Sequence, residues 1–251
     1  MTALITGASS GIGRDIARRL GKMGVRLIIS GRNLENLKEL RKEIGEKRVK
    51  IITADISDRK ECFRLYREAS KYNVDILINN AGFGLYGSFS ETSLDRELNM
   101  IDVNITSVHI LTKLFLRDFR KQNKGYILNV ASSAGFMPGP LMATYYASKN
   151  YIVRLTEAVR EELRAEESNV YIGAFCPGPV NTNFNQTAGV RFALNGISSE
   201  YAAKCAVDGM FARKALIIPT ATMKAGVLVS KLIPATLLSM ITRHFQMKKS
   251  G

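Results

Sequence analysis

Residues that build disulfide frameworks and metal sites are scarce in this chain. Its three cysteines, Cys62, Cys176 and Cys205, are too few and too scattered for a disulfide framework and form no Cys-x-x-Cys pair. Its two histidines, His109 and His244, lie far apart in sequence without a paired acid or cysteine, so neither suggests a zinc enzyme. We therefore expect free thiols in a reducing compartment and no metal.

The sequence also lacks the long apolar runs and low-complexity tracts of membrane-spanning or disordered proteins. The first residues show no charged leader with an apolar core and a cleavage site, which predicts a cytoplasmic protein. The hydrophobic fraction of 46% and the charged fraction of 23% are those of an ordinary soluble globular protein. With 251 residues and no linker or repeat, one large domain is the simpler interpretation.

Acidic residues are absent from the C-terminal part of the chain. The formal net charge is +14, and no Asp or Glu follows Asp208, whereas seven basic residues do: Arg213, Lys214, Lys224, Lys231, Arg243, Lys248 and Lys249. Such a balance is typical of proteins that bind nucleic acid, an anionic membrane surface or an acidic substrate. Because no recognised nucleic-acid motif or interleaved aromatic stripe is present, we expect no nucleic-acid partner.

Short apolar runs alternate with longer amphipathic segments over most of the length. The predicted strands are residues 2–6, 25–30, 49–54, 75–79, 125–131, 169–176 and 215–218. Strands that are apolar on both faces and separated by helices predict an α/β protein, with a Rossmann-type doubly wound parallel sheet of about seven strands and helices on both faces. In such sheets, ligands bind beyond the carboxyl ends of the strands.

A glycine-rich turn, Thr6-Gly7-Ala8-Ser9-Ser10-Gly11-Ile12-Gly13, follows the first predicted strand and opens a helix. Glycines let the backbone turn tightly and approach a pyrophosphate, and the helix N-terminus adds free N–H groups and a partial positive charge. The spacing differs from the Gly-x-Gly-x-x-Gly fingerprint, and the lysine of a P-loop is missing. The position between a strand and a helix favours nucleotide binding over a plain connector.

Four segments together resemble the motifs of the classical short-chain dehydrogenases/reductases. They are the turn Thr6–Gly13, the segment Asn79–Gly82, the pair Tyr145 and Lys149, and the loop Pro177–Thr182. They occur in the family's order and at family-like spacings. The resemblance implies an enzyme that interconverts a carbonyl and a secondary alcohol by hydride transfer with a nicotinamide cofactor. It also implies a Rossmann-fold catalytic domain over residues 1–218.

Tyr145 and Lys149 are predicted to carry the proton chemistry. They are four positions apart on a strong predicted helix, so their side chains share a face. A free tyrosine titrates near pH 10, and a nearby ammonium favours the phenolate, so we expect a lowered pKa for Tyr145 as general acid and base. Tyr146 competes for the role, but Asn150 stands four positions after it. The alternative for Tyr145 and Lys149 is an ordinary surface pair without a catalytic role.

Ser132 and Asn104 complete the catalytic group by resemblance. The family serine, after the strand predicted at residues 125–131, orients the substrate oxygen; Ser133 is the alternative, but the family spacing to the tyrosine selects Ser132. Asn104 resembles the family asparagine that holds a water in a proton relay to the lysine, and the alternative is a polar residue that kinks a helix. No Gly-x-Ser-x-Gly elbow surrounds Ser132, so a serine hydrolase is not expected.

The second predicted strand ends without an acidic residue, in Ile29-Ser30-Gly31-Arg32-Asn33. An acid there would bind the adenosine ribose and repel a 2′-phosphate, whereas the guanidinium of Arg32 matches phosphate oxygens. We therefore expect NADP(H) in preference to NAD(H); the alternative is an exposed arginine at a helix start. The predicted cofactor-binding residues are Gly7, Ser9, Ser10, Gly11, Ile12, Gly13, Arg32, Asp55, Ile56, Asn80, Ala81, Gly82, Tyr145, Lys149, Pro177, Gly178, Val180 and Thr182.

Apolar residues are concentrated where family members have their substrate loop, at positions 183–195. A predicted apolar pocket comprises Phe83, Met137, Leu141, Tyr146, Phe184, Val190, Phe192 and Leu194. Arg191 could serve an anionic group. The composition favours a hydrophobic carbonyl substrate, such as a 3-oxoacyl chain or a ketosteroid, and the alternative is plain packing of a lid.

The chain continues after the last predicted strand with an extension of residues 219–251. Its apolar run, residues 227–241, is too short to span a bilayer and is interrupted by Lys231 and Pro234, so we predict two short amphipathic helices hinged at Pro234. Apolar faces with basic flanks suit peripheral contact with a membrane or a lid over the pocket. Docking on the chain's own body or on a partner subunit is the alternative. The extension is similar to that of long-chain 3-oxoacyl and 17β-hydroxysteroid reductases.

Other functions are less consistent with the motifs. A catalytically silent NADP-binding sensor or scaffold is the main alternative, against which the intact catalytic group argues. Epimerases of the extended family usually have longer chains and a different glycine motif. Family members often pair through their long helices, here around residues 104–122 and 145–165, so a homodimer or homotetramer is expected.

Overall fold

A computed structural model describes residues 1–182, 184 and 196–247. Its strands are β1 Thr2–Thr6, β2 Arg26–Gly31, β3 Val49–Thr53, β4 Ile76–Asn79, β5 Tyr126–Val130, β6 Tyr171–Phe175, β7 Val180–Asn181, β8 Ile197–Ser198 and β9 Leu216–Ile217. Seven of them form one parallel sheet in the order β3-β2-β1-β4-β5-β6-β9, and β7 pairs with β8. The doubly wound parallel sheet of about seven strands is therefore confirmed.

Helices connect the strands from β1 to β6 and connect β8 to β9. The α-helices are α1 Gly11–Lys22, α2 Leu34–Ile44, α3 Arg59–Ser70, α4 Leu94–Ile101, α5 Ser107–Gln122, α6 Ala143–Ala165, α7 Ser199–Phe211, α8 Ala221–Ser230 and α9 Ala235–Met247. A π-helical turn, Asp102–Thr106, joins α4 to α5, and a short 3-10 helix, Ser133–Phe136, follows β5. The alternation of strand and helix expected from the sequence is present from β1 to β6 and again from β8 to β9.

Both faces of the sheet are covered because successive side chains of a strand point to opposite faces. Ala3 and Ile5 of β1 pack in one buried cluster with apolar residues of α1, α2 and α7. Leu4, between them, packs in a second cluster with residues of α3, α5 and α6. The helices α1, α2, α3, α5, α6 and α7 therefore bury apolar side chains against the sheet, and the strands are apolar on both faces as predicted.

The strand order reverses beside β1. This strand pairs with β2 on one side and with β4 on the other, so the chain crosses the sheet after β3. The segments that leave β1 and β4 then diverge and open a crevice at the carboxyl ends of these strands. The glycine-rich turn after β1 and the segment Asn79–Gly82 after β4 lie at this crevice.

The C-terminal extension forms the two short helices predicted from the sequence, with Pro234 between α8 and α9. In the part of the chain that is described, no helix is long and apolar enough to cross a membrane. Leu238, Thr242 and Gln246, spaced four apart on α9, are buried against the rest of the chain. The inner side of the extension thus docks on the chain's own body, one of the alternatives left open by the sequence.

Candidate active site

The glycine-rich turn and the segment after β4 are fastened to each other by hydrogen bonds. Nδ2 of Asn80 donates to the carbonyl oxygens of Thr6 (3.0 Å) and Gly7 (3.1 Å), and the Thr6 hydroxyl accepts from the backbone N–H groups of Asn80 (3.1 Å) and Ala81 (3.2 Å). A Cβ at Gly13 would lie 2.3 Å from Nδ2 of Asn80 and 2.5 Å from the Gly7 carbonyl oxygen. Only glycine fits at this contact.

The N-terminus of α1 faces the crevice with its first-turn N–H groups available to an anion. Among the described residues, Ser10 at the N-cap makes no capping hydrogen bond through its side chain, and the first turn contains no acid. Gly11 has φ +53°, and a Cβ there would approach Cγ2 of Thr182 to 3.2 Å. Free N–H groups, the helix dipole and a close backbone approach are what a pyrophosphate needs, so these residues fit a dinucleotide.

Arg32 lies just after β2 and also lines the crevice. Its side chain is 69% exposed, and Nη1 lies 3.9 Å from Oδ2 of Asp55. The other carboxylate oxygen of Asp55 accepts from the backbone N–H (3.1 Å) and the hydroxyl (2.8 Å) of Ser57. Glu35, the acid nearest to Arg32 in sequence, pairs instead with Lys38 at 2.8 Å. The guanidinium is therefore only loosely paired and remains open to an anionic group.

The catalytic residues predicted from the sequence converge at the buried end of the crevice. Tyr145 and Lys149 lie on α6, and Ser132 follows β5; all three are buried. The Ser132 hydroxyl and the Tyr145 phenol line the same cavity. Nζ of Lys149 donates to the carbonyl oxygen of Val130 at 3.0 Å and lies 5.8 Å from the centroid of the Tyr145 ring. Two hydroxyls and one ammonium thus share a site that is shielded from water.

The pKa of Tyr145 shifts opposite to the direction predicted from the charge of Lys149. Burial raises the pKa of Tyr145 to about 12, and the nearby Ser132 hydroxyl opposes this shift only in part. Burial also lowers the pKa of Lys149 to about 8. The prediction was wrong because it counted the charge of the ammonium and left out the loss of hydration. In this site the phenol therefore holds its proton at neutral pH.

Asn104 lies in the π-helical turn between α4 and α5 and is fully buried. Its Nδ2 donates to the carbonyl oxygen of Phe83 (2.9 Å) and to the Ser148 hydroxyl (3.1 Å), and its Oδ1 accepts from the Phe83 N–H (3.1 Å). A Cβ at Gly82 would lie 3.0 Å from Oδ1 of Asn104 and 3.3 Å from Nζ of Lys149. Asn104 thus ties α4–α5 to the crevice next to Lys149, and the irregular helix predicted as the alternative is also present.

These residues surround one cavity of about 760 Å³. Lining residues from the predicted catalytic and cofactor sets are Gly7, Ser9, Ser10, Gly11, Ile12, Arg32, Asp55, Ile56, Asn80, Ala81, Gly82, Ser132, Tyr145, Lys149, Pro177, Gly178, Val180 and Thr182. Gly13 and Asn104 are not among the described lining residues; they support those that are. The predicted residues therefore lie together around one cavity at the carboxyl ends of the strands.

Comparison with known proteins identifies the family. The family model described as short chain dehydrogenase matches residues 1–191. The chain belongs to this family. An uncharacterized oxidoreductase of Staphylococcus saprophyticus is 37% identical over 184 residues, which cover 71% of this chain and 74% of the relative. This short-chain dehydrogenase is therefore an oxidoreductase that uses a nicotinamide dinucleotide and acts on a small molecule.

Solved structures of bacterial short-chain dehydrogenases share the fold over almost the whole length. A short-chain dehydrogenase from Sphingobium yanoikuyae in complex with NADPH is 26% identical, with a TM-score of 0.83, and the match covers 92% of this chain and 93% of that one. A bulky-bulky ketone specific alcohol dehydrogenase from Comamonas testosteroni is 26% identical, with a TM-score of 0.79 and 92% of each chain covered. The match therefore extends beyond the nucleotide-binding half of the fold.

The apolar end of the cavity agrees with the predicted pocket only in part. Phe83, Met137, Tyr146 and Phe184 line it, whereas Leu141 is not among the described lining residues. Leu141 has φ +66°, and its backbone carbonyl accepts from the Gly87 N–H at 2.9 Å, so it shapes the loop before α6. Four further predicted residues, Val190, Arg191, Phe192 and Leu194, lie outside the described residues.

The C-terminal helices supply a wall of the cavity that the sequence did not assign to individual residues. From α8, the turn after it and α9, these lining residues are Gly226, Val229, Ser230, Ile233, Leu238, Ile241, Thr242 and Phe245. A lid was one of the alternatives, but no motif identifies its residues. The available signal was the spacing of Leu238, Ile241 and Phe245, which share one side of a helix.

The extension is attached to the residue next to the catalytic tyrosine. Nε2 of Gln246 donates to the hydroxyl of Tyr146 at 2.5 Å, and the Tyr86 hydroxyl donates to the Gln246 carbonyl oxygen at 3.4 Å. A Cβ at Gly139 would lie 2.1 Å from the Tyr146 ring, so this ring packs directly against the loop before α6. Burial raises the pKa of Tyr146, which keeps it a neutral phenol. Tyr146 therefore lines the pocket, as predicted, and also anchors the extension.

A buried carboxylate holds the start of the helix that carries Tyr145. Glu97 of α4 accepts hydrogen bonds from the hydroxyl of Thr144 at 2.8 Å and from the hydroxyl of Thr92. Because Thr144 directly precedes Tyr145, this contact fixes the first turn of α6 relative to α4. Sequence reasoning missed Glu97, since nothing distinguishes it from Asp95, the exposed acid of the same helix, except its position on the inner face.

Proposed function

We propose that this short-chain dehydrogenase is an NADP-dependent carbonyl reductase for an apolar ketone, which it interconverts with the secondary alcohol. The observation that carries the proposal is that the buried Ser132 and Tyr145 hydroxyls line the inner end of a cavity whose outer end is apolar. A ketone oxygen placed against both hydroxyls could accept a proton from one and a hydrogen bond from the other. The Lys149 ammonium is buried next to them.

The chain's own residues would handle the proton. The dinucleotide, when bound, supplies a hydride to the carbonyl carbon. Tyr145 then donates its phenolic proton to the carbonyl oxygen, which becomes the hydroxyl of the alcohol. The Ser132 hydroxyl hydrogen-bonds the same oxygen and orients it, and the Lys149 ammonium stabilises the phenolate that remains. Asn104 would act as a positioning residue that holds a water toward Lys149, the role its resemblance to the family asparagine implies.

The dinucleotide would lie along the crevice with its phosphates at the N-terminus of α1. Backbone N–H groups of residues 9–12 would bind the pyrophosphate, and Asp55, Ile56 and the segment 80–82 would contact the adenosine. Lys149 would reach the nicotinamide ribose, and the loop Pro177–Thr182 would contact the nicotinamide. What supports this placement is the close packing at two glycines: a Cβ at Gly13 would lie 2.5 Å from the Gly7 carbonyl oxygen, and a Cβ at Gly82 would lie 3.0 Å from Oδ1 of Asn104.

The preference for NADP(H) rests on Arg32. No acidic residue occupies the end of β2, and the guanidinium lies at the rim of the cavity with only a distant partner in Asp55. A 2′-phosphate could pair with it by a bidentate, charge-assisted contact. The Sphingobium relative was solved with NADPH, which is consistent with this assignment.

The substrate class rests on the apolar outer walls. Phe83, Met137 and Phe184 form one side of the cavity, and side chains from α8 and α9 face them. A 3-oxoacyl chain or a steroid-like ketone would bury its apolar surface between these walls. The Comamonas relative is described as specific for bulky-bulky ketones, which agrees with a wide apolar cavity.

Steady-state oxidation of NADPH and NADH by the purified protein tests the proposal, with 3-oxoacyl thioesters, ketosteroids, quinones and small aldehydes as substrates. We expect turnover with NADPH and an apolar ketone, and a loss of kcat of roughly a thousandfold or more in Tyr145→Phe. Tyr146→Phe is the matched control and should keep most of the activity. Equal activity in Tyr145→Phe and the wild type would contradict the assigned chemistry.

Assembly and location are also proposals. We infer a cytoplasmic homodimer or homotetramer that pairs through α5 and α6, since both helices present a partly open groove between residues such as Leu116, Leu155 and Val159. Sedimentation velocity of the purified protein measures the oligomeric state directly.

A further inference from the structure

The side of the C-terminal extension that does not contribute to the cavity is apolar and open to solvent. Leu228, Leu232, Leu237 and Met240, here named the outer tail face, are between 50% and 79% exposed. They are not among the described residues that line the cavity. Leu237 and Met240 are three apart on α9 and share a face, away from the buried stripe of Leu238 and Thr242. So many large apolar groups within a short exposed segment mark a binding surface.

Basic residues accompany the outer tail face. Lys224, Lys231 and Arg243 lie on or between the same two helices, and their side chains are exposed. No acidic residue follows Asp208 anywhere in the sequence, so the extension has no negative charge of its own to neutralise them. Apolar side chains interspersed with cations fit a surface that offers hydrocarbon below a layer of negative charge.

The cavity opens through the same two helices. Val229 of α8 and Ile241 and Phe245 of α9 line the cavity, yet their side chains remain between 37% and 56% exposed. These residues therefore form a partly open rim and not a sealed wall. An apolar molecule could enter the cavity from whatever surface covers the extension.

We propose that the outer tail face binds the surface of an anionic lipid bilayer, lying in the interface without crossing it, so that the rim of the cavity faces the bilayer. That α8 and α9 are each too short to span hydrocarbon agrees with this orientation. Entry of an apolar ketone from the lipid rests on the proposed function; the docking itself does not.

A second copy of the chain fits this surface less well than a bilayer does. A symmetric pair joined through the outer tail face would bring Lys224, Lys231 and Arg243 of both copies to one contact without any acid from the extension. The like charges would repel each other, and burial would remove the water that screens them. Anionic headgroups supply the opposite charge that such a pair lacks.

Co-sedimentation with vesicles tests the docking. The full-length protein is mixed with phosphatidylcholine vesicles with or without phosphatidylglycerol, and the bound fraction is measured at low and high salt. We expect binding to the anionic vesicles that weakens with salt. Lys224→Gln with Arg243→Gln should weaken it on the order of thirtyfold. Leu232→Ser with Met240→Ser should weaken it by about tenfold or more.

The matched control removes the same charge elsewhere. Lys47→Gln with Lys50→Gln changes two exposed lysines before and within β3, at the far edge of the sheet, and should leave vesicle binding within about twofold of the wild type. Equal binding of the tail and control variants, or no binding to either kind of vesicle, would overturn the proposal. So would a dimer in sedimentation velocity that Leu232→Ser with Met240→Ser dissociates, because a second copy would then occupy this face.

Activity measurements separate this proposal from the enzymatic one. With a water-soluble ketone, the four proteins should have equal kcat and KM, because the changed residues are not among the described residues that line the cavity. With a lipophilic ketone supplied in anionic vesicles, the two tail variants should lose rate in proportion to their lost binding. A protein that binds vesicles but reduces no ketone would refute the proposed function and leave the docking intact.

Discussion

The dinucleotide end and the substrate end of the cavity differ in what forms their walls. At the dinucleotide end, backbone atoms approach closely, and a Cβ at Gly13 would meet Asn80 at 2.3 Å. At the substrate end, side chains such as Phe184 and Phe245 form the wall, although they lie far apart in the sequence. A wall made of backbone tolerates almost no change, whereas a wall made of apolar side chains can be altered gradually. Substitutions at the two ends should therefore have effects of different size and kind.

The largest difference between the two ends is expected when one methyl group is added at each of them. Gly13→Ala places its Cβ 2.5 Å from the Gly7 carbonyl oxygen, which must displace the turn that faces the phosphates. We expect the Kd for NADPH to rise by roughly a hundredfold or more, because the first-turn N–H groups lose their alignment. Titration of NADPH fluorescence with the purified variant measures this.

Gly226→Ala is the matched control on α8. A Cβ there has no described atom within 4 Å, and alanine favours the helix over glycine by about 1 kcal/mol. NADPH affinity should be unchanged, and the midpoint of thermal unfolding should not fall. If Gly13→Ala bound NADPH as tightly as Gly226→Ala, the close-packed backbone would not be what forms the dinucleotide end.

The second effect concerns the Lys149 ammonium, which lies between the two ends of the cavity. Because burial lowers the pKa of Lys149 to about 8, its ammonium is present below that pH and is lost as the pH rises above it. The raised pKa of Tyr145, about 12, keeps the phenol protonated over the same range. We therefore expect kcat/KM for ketone reduction to fall about tenfold per pH unit above pH 8.

The pH profile needs a parallel measurement of NADPH binding at each pH, since Lys149 is also proposed to contact the cofactor. A fall in kcat/KM that follows only the loss of binding would assign Lys149 to cofactor contact. A profile that stays flat to pH 10 would show that the ammonium is not required for the proton transfer.

The same difference between backbone walls and side-chain walls explains how much of each end of the cavity could be predicted from the sequence. The glycine turn, the pair Tyr145 and Lys149, and the parallel sheet with helices on both faces were predictable because each depends on residues that are close in sequence or on the alternation of strand and helix. The positions of Gly13 and Glu97 as supports were not, since their importance comes from contacts with Asn80 and Thr144 on other elements.

The substrate end was the least predictable. The two helices hinged at Pro234 were predicted, but nothing in their sequence shows that Gln246 reaches Tyr146, one hundred positions earlier. The sign of the Tyr145 pKa shift also depends on burial, which arises only when α6 packs against β6 and the 3-10 helix Ser133–Phe136. Burial cannot be judged from the spacing of two residues.

The third effect would separate the two nicotinamide cofactors. Arg32→Ala removes the one basic side chain after β2 among the described residues that line the cavity, so a 2′-phosphate would lose its charge-assisted partner. We expect KM for NADPH to rise about thirtyfold while KM for NADH changes less than about twofold. Lys42→Ala, an exposed change farther along α2, is the control and should leave both KM values unchanged. An equal change for the two cofactors would assign Arg32 to contacts that they share.

The smallest effect is expected at the apolar wall, because partly exposed side chains contribute only a fraction of their full transfer free energy. Ile241→Ser with Phe245→Ser makes the α9 wall polar without touching the catalytic residues. We expect KM for a long-chain or steroid-like ketone to rise about tenfold, which corresponds to about 1.4 kcal/mol, and kcat to stay within about twofold. A small ketone that does not reach α9 should show no change.

Met240→Ser on the outer tail face is the matched control for this wall. It changes an exposed apolar residue of the same helix that is not among the described lining residues, so it should leave KM for both ketones unaltered in detergent-free solution. If it raised KM for the large ketone as much as the pair Ile241→Ser and Phe245→Ser, loss of the helix as a whole would explain both. If only the inner pair does so, individual side chains of α9 select the substrate, as a wall built from side chains requires.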